Sequence, residues 1–382
     1  MKHTVILREE GRYNCFPVLH QLAGGRLAIG CISSPVGDHM AMADWPVFAS
    51  SDNGETWVRS DDPALPPNWP GSTPREQYDR LCGVLPDGTW MAVASVGYEC
   101  WDPSRRAEAE ARGLEIHEDD IVRGLLPGKL VVAGHRLSVI RSRDRGATWE
   151  RRIWTVPGYA SLTGFPRGTV LEDGTWLFPV YTQGGDGSGD GLIFRSIDNG
   201  ETWRLHRSVP GVGNEWALIE AAPGKVLGHI RHACGWGNPP QTRIYPLEVW
   251  SEDGGVTWTH PVETSFQGYP NHLLRLRDGR ILCTYGYRLQ PMGVRALISE
   301  DGGASWDLEH EYVLRDDGGT VSNDWPAEMR ARPGFAAADV GYPVSAELDD
   351  GRILTAYYIT PADGTTHVAV THWHPDADRP GG

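Results

Sequence analysis

A short pattern, Ser-x-Asp-x-Gly-x-Ser/Thr-Trp, recurs along the chain and constrains its fold more than any other feature. Repetition at intervals of some tens of residues is typical of proteins built from stacked or circularly arranged units. The chemistry of the pattern is local, because the Asp side chain can accept backbone N–H bonds within a tight turn and the Gly can adopt a positive φ. An apolar stretch precedes each copy and a shorter one follows, so each copy predicts a hairpin turn. The five copies span residues 50–57, 142–149, 196–203, 251–258 and 299–306.

A second turn signal, most often Asp-Gly between two apolar stretches, marks another turn in each unit. Together the two signals describe six units of four short strands, and the sequence therefore predicts an all-β fold, a six-bladed β-propeller of four-stranded antiparallel blades. We expect a single domain over residues 1–375 and a disordered tail, 376–382. The sixth blade, roughly 336–374, lacks the Asp turn, and residues 4–7 are expected to close the ring by pairing with it. The glycines of the second signal are Gly25, Gly88, Gly174, Gly224, Gly279 and Gly351.

Composition agrees with this prediction and excludes several classes of protein. The 382 residues include 47 Gly and 28 Pro, which is too many for a helical protein, while 40% hydrophobic residues and 16 Trp allow a large core. A net charge of −15 without any run of Lys or Arg argues against a nucleic-acid partner. No apolar stretch reaches the roughly 18 residues that a membrane-spanning helix needs.

The cysteines and the N-terminal residues bear on the cellular compartment. The 6 cysteines are scattered and form no Cys-x-x-Cys pair, so we expect them to be reduced and mostly buried. The first residues reach charged side chains at once, which predicts a cytoplasmic location, or a secreted one if a leader has been removed. A homo-oligomer is compatible with the sequence.

The second turn also locates the start of the innermost strand of each blade, which in a propeller lies near the central axis. Aromatic rings that stack on sugar faces and carboxylates that transfer protons would together make a carbohydrate site there. The structural alternative is that these residues fill the channel. Counting back from the turn glycines gives Phe16, Asp79, Phe165, Glu215, Tyr269 and Tyr342, with Arg80 beside Asp79.

The first repeat, with its five copies, resembles the Asp-box of the sialidase (neuraminidase) superfamily, and the resemblance extends over nearly the whole chain. This resemblance to an exo-sialidase-like BNR-repeat protein implies a glycoside hydrolase that needs no cofactor and acts on a carbohydrate. Residues 341–345, leading to the turn at 350–351, resemble the strand that carries the nucleophilic Tyr of the family. The resemblance therefore implies Tyr342 as nucleophile, Glu215 as its base and Arg231 as a substrate-binding residue. The family's acid/base Asp lies about a dozen residues before the first Asp-box, which implies Asp38, with Asp44 as the other choice.

The chain departs from the family at the first of three arginines that clamp the substrate carboxylate. Sialidases carry that arginine in an Arg-Ile-Pro motif, and Cys15 holds its place here. A thiol cannot make bidentate, charge-assisted bonds to a carboxylate, and Arg12 would project elsewhere from an extended strand. The third arginine is expected just before the fifth Asp-box, where Arg288 and Arg295 are both candidates. The resemblance with this departure implies a sialidase-like exo-glycosidase whose substrate is not a common sialoside.

Two other functions stay open at this stage. A polysaccharide lyase acting on a uronate-containing glycan could use His20, His39, His232 or His272, and a non-catalytic carbohydrate-binding propeller would need only the aromatic walls.

Three further segments bear on a metal site or a lid. Residues 185–191 carry two Asp without the spacing of an EF-hand loop, which favours a hairpin tip over a metal site. The insertion 58–77 is Pro-rich. The insertion 101–128 predicts a short helix that begins near Pro103 and ends at Gly113. Either insertion could rim the axial pocket.

Overall fold

The strands of the chain form six antiparallel sheets arranged in a ring, which confirms the predicted six-bladed propeller. The computed structural model describes residues 1–34, 44–62, 65, 80–85, 87–112, 116, 130–144, 147–155, 163–164, 167–181, 189–209, 214–232, 244–319 and 340–381. In chain order the strands are β1 (Lys2–Leu7), β2 (Tyr13–Gln21), β3 (Leu27–Ser34), β4 (Val47–Ser50), β5 (Val58–Arg59), β6 (Arg80–Val84), β7 (Trp90–Trp101), β8 (Leu130–Ser142), β9 (Glu150–Thr155), β10 (Thr163–Gly164), β11 (Thr169–Val170), β12 (Trp176–Tyr181), β13 (Gly191–Ser196), β14 (Arg204–Val209), β15 (Trp216–Ala222), β16 (Lys225–Ile230), β17 (Leu247–Ser251), β18 (Val262–Glu263), β19 (Asn271–Arg275), β20 (Ile281–Tyr287), β21 (Met292–Ser299), β22 (Tyr312–Gly318), β23 (Val340–Glu347), β24 (Ile353–Ile359) and β25 (His367–Trp373).

The first five blades are built from consecutive strands, and the sixth joins the two ends of the chain. The blades are β2–β5, β6–β9, β10–β14, β15–β18 and β19–β22, and in the third the inner strand is split into β10 and β11. The sixth blade has the order β1-β25-β24-β23. Thr4 pairs with Val370 and Val5 with Ala369, which confirms the predicted closure of the ring by the first strand.

The Asp carboxylate of each repeated turn holds that turn, as the sequence predicts. In the first copy, the Thr56 N–H and hydroxyl donate to Asp52 at 2.9 and 2.5 Å, and the Ser50 hydroxyl donates to it at 2.8 Å. These bonds lower the pKa of Asp52 to about 2, with the Thr56 hydroxyl contributing most. The Trp57 indole N–H donates to the Gly54 carbonyl at 2.9 Å, and Trp258 makes the same bond to Gly255 at 3.2 Å. Equivalent Asp bonds occur at Asp144, Asp198, Asp253 and Asp301.

The repeated turns also attach neighbouring blades to each other. Arg141 of β8 donates to the Gly200 carbonyl at 2.7 Å and pairs with Glu201, both of which lie in the turn of the next blade. Arg352, directly before β24, pairs with Glu55 of the first blade at 2.7 Å. The motif therefore stabilises the ring as well as its own hairpin.

The hydrophobic core lies between the blades. All 7 residues of β24 are buried, so both faces of this strand are covered. Leu354 and Tyr358 pack between the sixth and first blades, whereas Tyr357 and Ile359 pack between the fifth and sixth. This alternation follows from the period of two along a strand. Full burial of one such side chain contributes about 1.5–3 kcal/mol.

Two inner strands carry a bulge at an aromatic–Pro pair. In β23 the register with β24 shifts between Gly341 and Val344, so Tyr342 and Pro343 lie opposite a single residue. The bulge leaves Tyr342 at a φ of 50°, a left-handed conformation that costs a non-glycine residue about 1–2 kcal/mol. Phe16 of β2 has the same φ in an equivalent bulge. The two rings meet edge to face with centroids 4.5 Å apart, so the bulges set the direction of both side chains.

The insertion at 101–128 contains the predicted helix. A 3₁₀ turn, Pro103–Arg105, leads into α1, Arg106–Ala111, and Asp102 caps it by accepting from the Ser104 N–H at 2.9 Å. Gly113 and most of the insertion 58–77 lie outside the described residues. A second 3₁₀ turn spans Ala23–Gly25. In the described part of the chain, no helix is both long enough and apolar enough to cross a membrane.

Residues 376–381, which lie in the segment that the sequence predicts as a tail, contact the propeller. Asp378 accepts from the Met1 amino group at 2.9 Å, and Asp376 pairs with Arg280 at 2.8 Å. Arg379 pairs with Asp307 at 2.8 Å. The partners of these charges lie tens to hundreds of residues away along the chain, and only the ring brings them together.

Candidate active site

A tyrosine, a glutamate and an arginine meet between the inner strands of the fourth and sixth blades. Glu215 directly precedes β15 and Arg231 directly follows β16, and because these strands form a hairpin, both lie at its open end. The Tyr342 hydroxyl donates to one carboxylate oxygen of Glu215 at 2.6 Å. Arg231 Nη1 donates to the other oxygen at 2.9 Å and to the Tyr342 oxygen at 3.0 Å. The three groups form a closed triangle of polar contacts.

Burial makes these contacts strong and perturbs the titration of the tyrosine and the glutamate. The Glu215 side chain is 10% exposed and that of Arg231 is 19% exposed. Burial raises the pKa of the Tyr342 hydroxyl well above its ordinary value, Glu215 adds to the rise, and Arg231 and Arg288 oppose it. Burial also acts to raise the pKa of Glu215, but Arg231 and the bond from Tyr342 outweigh it, so this pKa is lowered. At neutral pH the site therefore holds a phenol that donates to a carboxylate.

Two guanidinium groups lie over the aromatic rings of the site. The Arg231 Cζ is 4.7 Å from the centroid of the Tyr269 ring, and the Arg288 Cζ is 5.3 Å from the same centroid. Arg288 also lies 5.7 Å from the centroid of the Tyr342 ring. Cation–π attraction of this kind is worth about 0.5–2 kcal/mol and orients the guanidinium planes. Among the described residues of this cluster, two cations face one carboxylate, Glu215, so these groups carry a net positive charge that suits a polar or anionic ligand group.

Tyr342 also belongs to a cluster of buried, mostly apolar side chains. Phe16 contacts its ring edge, and the Tyr358 ring lies 6.0 Å away, centroid to centroid. Cys15, which stands where the resemblance implies an arginine, is fully buried in the same cluster, together with Tyr13. The Tyr342 ring is therefore surrounded by both cationic and aromatic side chains.

Four of the six residues predicted around the axis come together here, namely Phe16, Glu215, Tyr269 and Tyr342. The other two, Asp79 and Phe165, and the predicted acid/base Asp38 lie outside the described residues. Arg80 begins β6, and its side chain is not among those described.

Of the arginines proposed for the clamp, Arg288 lies at the site and Arg295 does not. Arg295 pairs with Glu311 at 2.5 Å, and its Cζ is 3.5 Å from the Tyr287 ring centroid within the fifth blade. The two arginines differ in where they lie along their strands. Arg295 lies in the middle of β21, whereas Arg288 directly follows the end of β20.

The first blade places its remaining polar candidates together, away from Tyr342. Arg12 donates to the Ser33 hydroxyl at 3.0 Å and pairs with Asp44, the alternative acid/base residue. Asp44 is 57% exposed at its side chain. This confirms that Arg12 projects elsewhere and does not replace the arginine missing at position 15.

Sequence reasoning missed Arg167. This residue is 4% exposed, and its guanidinium donates to the main-chain carbonyl of Pro343 at 2.6 Å and to that of Asn271. The signal that could have found it is its position after Phe165, at the start of an inner strand. In the described part of the chain, no group of three His, Cys, Asp or Glu side chains could hold a metal ion.

Comparison with known proteins agrees with this architecture. Residues 127–368 match the BNR repeat-like domain. The chain is 26% identical over 209 residues to a sialidase of Bacteroides fragilis, an alignment that covers 50% of this chain and 36% of that protein. The chain thus spans little more than a third of this relative's length.

Two solved structures share the fold over almost the whole chain. A protein of unknown function from Dyadobacter fermentans has a TM-score of 0.68 and 23% identity, with 97% of each chain covered. The NanB sialidase of Streptococcus pneumoniae has a TM-score of 0.61 and 14% identity, with 98% of this chain and 71% of that chain covered. At such identities the likeness concerns the fold.

Proposed function

The chain belongs to the BNR repeat-like domain family, as a propeller of the sialidase superfamily, and from this premise we propose that it is a sialidase-type exo-glycoside hydrolase. The observation that supports this most directly is the bond of 2.6 Å from the Tyr342 hydroxyl to Glu215. A free phenol is a poor nucleophile at neutral pH, because its pKa of about 10 keeps it protonated. An adjacent base removes that obstacle by accepting the proton as the new bond forms.

In the proposed reaction the Tyr342 oxygen attacks the anomeric carbon of a terminal sugar while its proton moves to Glu215. The bond from that carbon to the leaving oxygen breaks, and a general acid, for which we propose Asp38, protonates the leaving alcohol. Water then attacks the anomeric carbon and gives a proton to the same acid/base group. The tyrosine oxygen departs and recovers its proton from Glu215. Arg231 holds the carboxylate and stabilises negative charge as it develops on the phenolic oxygen.

The substrate we propose carries a polar or anionic group but is not a common sialoside. Arg231 and Arg288 provide two cations beside Tyr269, which suit such a group. Cys15 stands in place of one of the three arginines with which the family binds a sialic acid carboxylate. It lies in a buried cluster with Tyr13, Phe16 and Tyr358, which we call the apolar wall. A sugar with a smaller or less charged substituent at that side matches this arrangement better.

A panel of 4-nitrophenyl glycosides, with 4-methylumbelliferyl sialic acid included, tests the proposal. We expect cleavage of at least one aryl glycoside and only slow cleavage of the sialoside. Tyr342→Phe should lower kcat by about 10³-fold or more, as loss of a covalent nucleophile does, while binding of the same glycoside survives. Tyr358→Phe is the matched control, because it removes a phenolic hydroxyl from the same aromatic cluster without touching the bond to Glu215.

Four results would contradict this proposal. Efficient cleavage of the sialoside would refute the substrate class. Full activity of Tyr342→Phe would refute the nucleophile. Binding of glycosides without any turnover would indicate a carbohydrate-binding propeller, and an unsaturated uronide product from a polysaccharide would indicate a lyase.

A further inference from the structure

A buried arginine outside the triangle of polar contacts connects three inner strands that adjoin the site, β15, β19 and β23. Arg167 lies in the third blade between β10 and β11, and its residue exposure is 4%. Its main-chain carbonyl accepts from the N–H of Leu218 in β15, at 2.9 Å. β15 is the strand that Glu215 directly precedes, so the backbone of Arg167 is fixed against the fourth blade.

The side chain of Arg167 reaches the fifth and sixth blades. It donates to the carbonyl of Asn271, two residues after Tyr269, and to the carbonyl of Pro343, directly after Tyr342. Both acceptors are main-chain carbonyls that lie within two residues of an aromatic residue of the site, Tyr269 or Tyr342. A guanidinium suits this task because its N–H groups form a rigid, planar fork that can serve two acceptors at once.

A second contact ties the same two strands together. The Ser345 N–H of β23 donates to His272 Nδ1 of β19 at 3.3 Å. Burial and the nearby Arg167 cation lower the pKa of His272 to about 3, so the ring is neutral and Nδ1 can accept. Arg167 thus contacts both strands directly. Its charge also helps to keep the neighbouring His272 ring neutral, so that Nδ1 can accept the bond from Ser345.

The bulge that carries Tyr342 needs such support. Tyr342 has a φ of 50°, which non-glycine residues seldom adopt, and residues in sparsely populated conformations persist only where their surroundings hold them. The carbonyl that Arg167 holds belongs to the second residue of that bulge. Release of this carbonyl would let the bulge relax and move the phenolic oxygen away from Glu215.

We propose that Arg167 is a positioning residue, which fixes the Tyr342 bulge and so holds the phenolic oxygen in reach of Glu215. The inference rests on the proposed function for its kinetic consequence, but its structural content does not. Arg167 touches no reacting atom in this scheme and acts through the backbone of Pro343.

The test uses the full chain with Arg167→Lys, which keeps the charge but replaces the planar fork with a single ammonium group. Arg141→Lys is the matched control, since Arg141 has the same residue exposure of 4% and also donates to a carbonyl of another blade, at 2.7 Å. Both variants should lower the thermal midpoint. Only Arg167→Lys should lower kcat, by about 10²-fold, the size expected for a displacement of about 1 Å in a reacting group. KM on the same aryl glycoside should change less than about twofold, because Arg231 and Arg288 are untouched.

A readout independent of turnover separates this inference from the proposed function. 3-Fluorotyrosine replaces all 13 tyrosines, and Tyr342→Phe identifies the fluorine signal of Tyr342. We expect one signal for Tyr342 in the parent protein and in Arg141→Lys, and a shifted or multiple signal in Arg167→Lys. If Tyr342→Phe retains activity, the proposed function fails, yet the fluorine spectra still decide whether Arg167 fixes this ring.

Unchanged kcat and an unchanged Tyr342 signal in Arg167→Lys would overturn the proposal. Arg167→Gln, which can still donate to one carbonyl, takes its place if the lysine variant does not fold. If neither variant folds while Arg141→Lys does, the role of Arg167 is structural and the proposal is refuted.

Discussion

Replacement of Arg231 by methionine should destabilise the protein far more than the loss of an ordinary ion pair. Arg231 is 19% exposed, and it donates to Glu215 at 2.9 Å and to Tyr342 at 3.0 Å. Opposite charges about 4 Å apart attract by about 4 kcal/mol at an effective dielectric constant of about 20. Removal of one partner of a buried pair costs about 3–5 kcal/mol, because the other charge stays buried without compensation. The Tyr342 hydroxyl still donates to Glu215, so we expect a loss of about 3 kcal/mol.

The same reasoning fixes the response of the variant to pH. Arg231→Met removes the largest of the interactions that lower the pKa of Glu215, so we expect this pKa to rise above that of the folded parent. The folded variant then binds a proton more readily than the folded parent, so the difference in free energy of unfolding between the two proteins should shrink as pH is lowered below neutrality. In the double variant Arg231→Met/Glu215→Gln, neither charge of the pair remains buried without its partner. We therefore expect it to be more stable than the single variant by at least about 1 kcal/mol.

Urea unfolding followed by tryptophan fluorescence measures these differences. Arg280→Met is the control, since the partners of Arg280, Asp278 and Asp376, are 49% and 62% exposed at their side chains. Surface pairs of that kind contribute about 0–1 kcal/mol. A loss below about 1 kcal/mol for Arg231→Met, or a double variant no more stable than the single one, would refute the view that Glu215 is desolvated and depends on Arg231.

Two further predictions concern the pH profile and the repeated turns. Arg288 contributes to the lowered pKa of Glu215, and the proposed reaction requires the ionised carboxylate. Arg288→Gln should therefore move the acid limb of the kcat/KM profile to higher pH. An unchanged acid limb would show that Arg288 does not influence Glu215. Asp198→Ala removes the bonds of 2.8 and 2.5 Å from Thr202 and should cost about 1 kcal/mol, similar to the loss of a helix cap. Its kcat should stay unchanged, and a changed kcat would contradict the separation of the repeated turns from the chemistry.

The fold was predictable because its determinants are short-ranged. Asp52 bonds to Ser50 and Thr56, two residues before it and four after it, so a single stretch of sequence contains the whole interaction. Once such turns are counted, the number of blades follows, and ring closure by β1 follows from the incomplete sixth blade. The contacts of the tail depend instead on surfaces that only the closed ring creates, and no local pattern indicates them.

The site was predictable only in part, for the same physical reason. Glu215 and Arg231 flank one hairpin, and Tyr342 resembles a known strand pattern, so their meeting could be expected. The choice between Arg288 and Arg295 depends on where each strand ends, and sequence-based boundaries are uncertain by a few residues. Arg167 donates to a carbonyl 176 residues away. No local sequence pattern predicts that contact, the bulge at Tyr342 and Pro343, or the positive φ of Tyr342.

The position of Cys15 bears on more than the loss of one charge. Its neighbours are Phe16, Tyr13 and Tyr358, all of them buried. An arginine at position 15 would need a solvated or anionic partner, and burial of an unpaired guanidinium among these rings would cost several kcal/mol. The surroundings of this position therefore suit a thiol and not an arginine. For this reason the apolar wall is a property of the site as a whole, and on the proposed function it selects a sugar that turns its charged or polar edge toward Arg231 and Arg288.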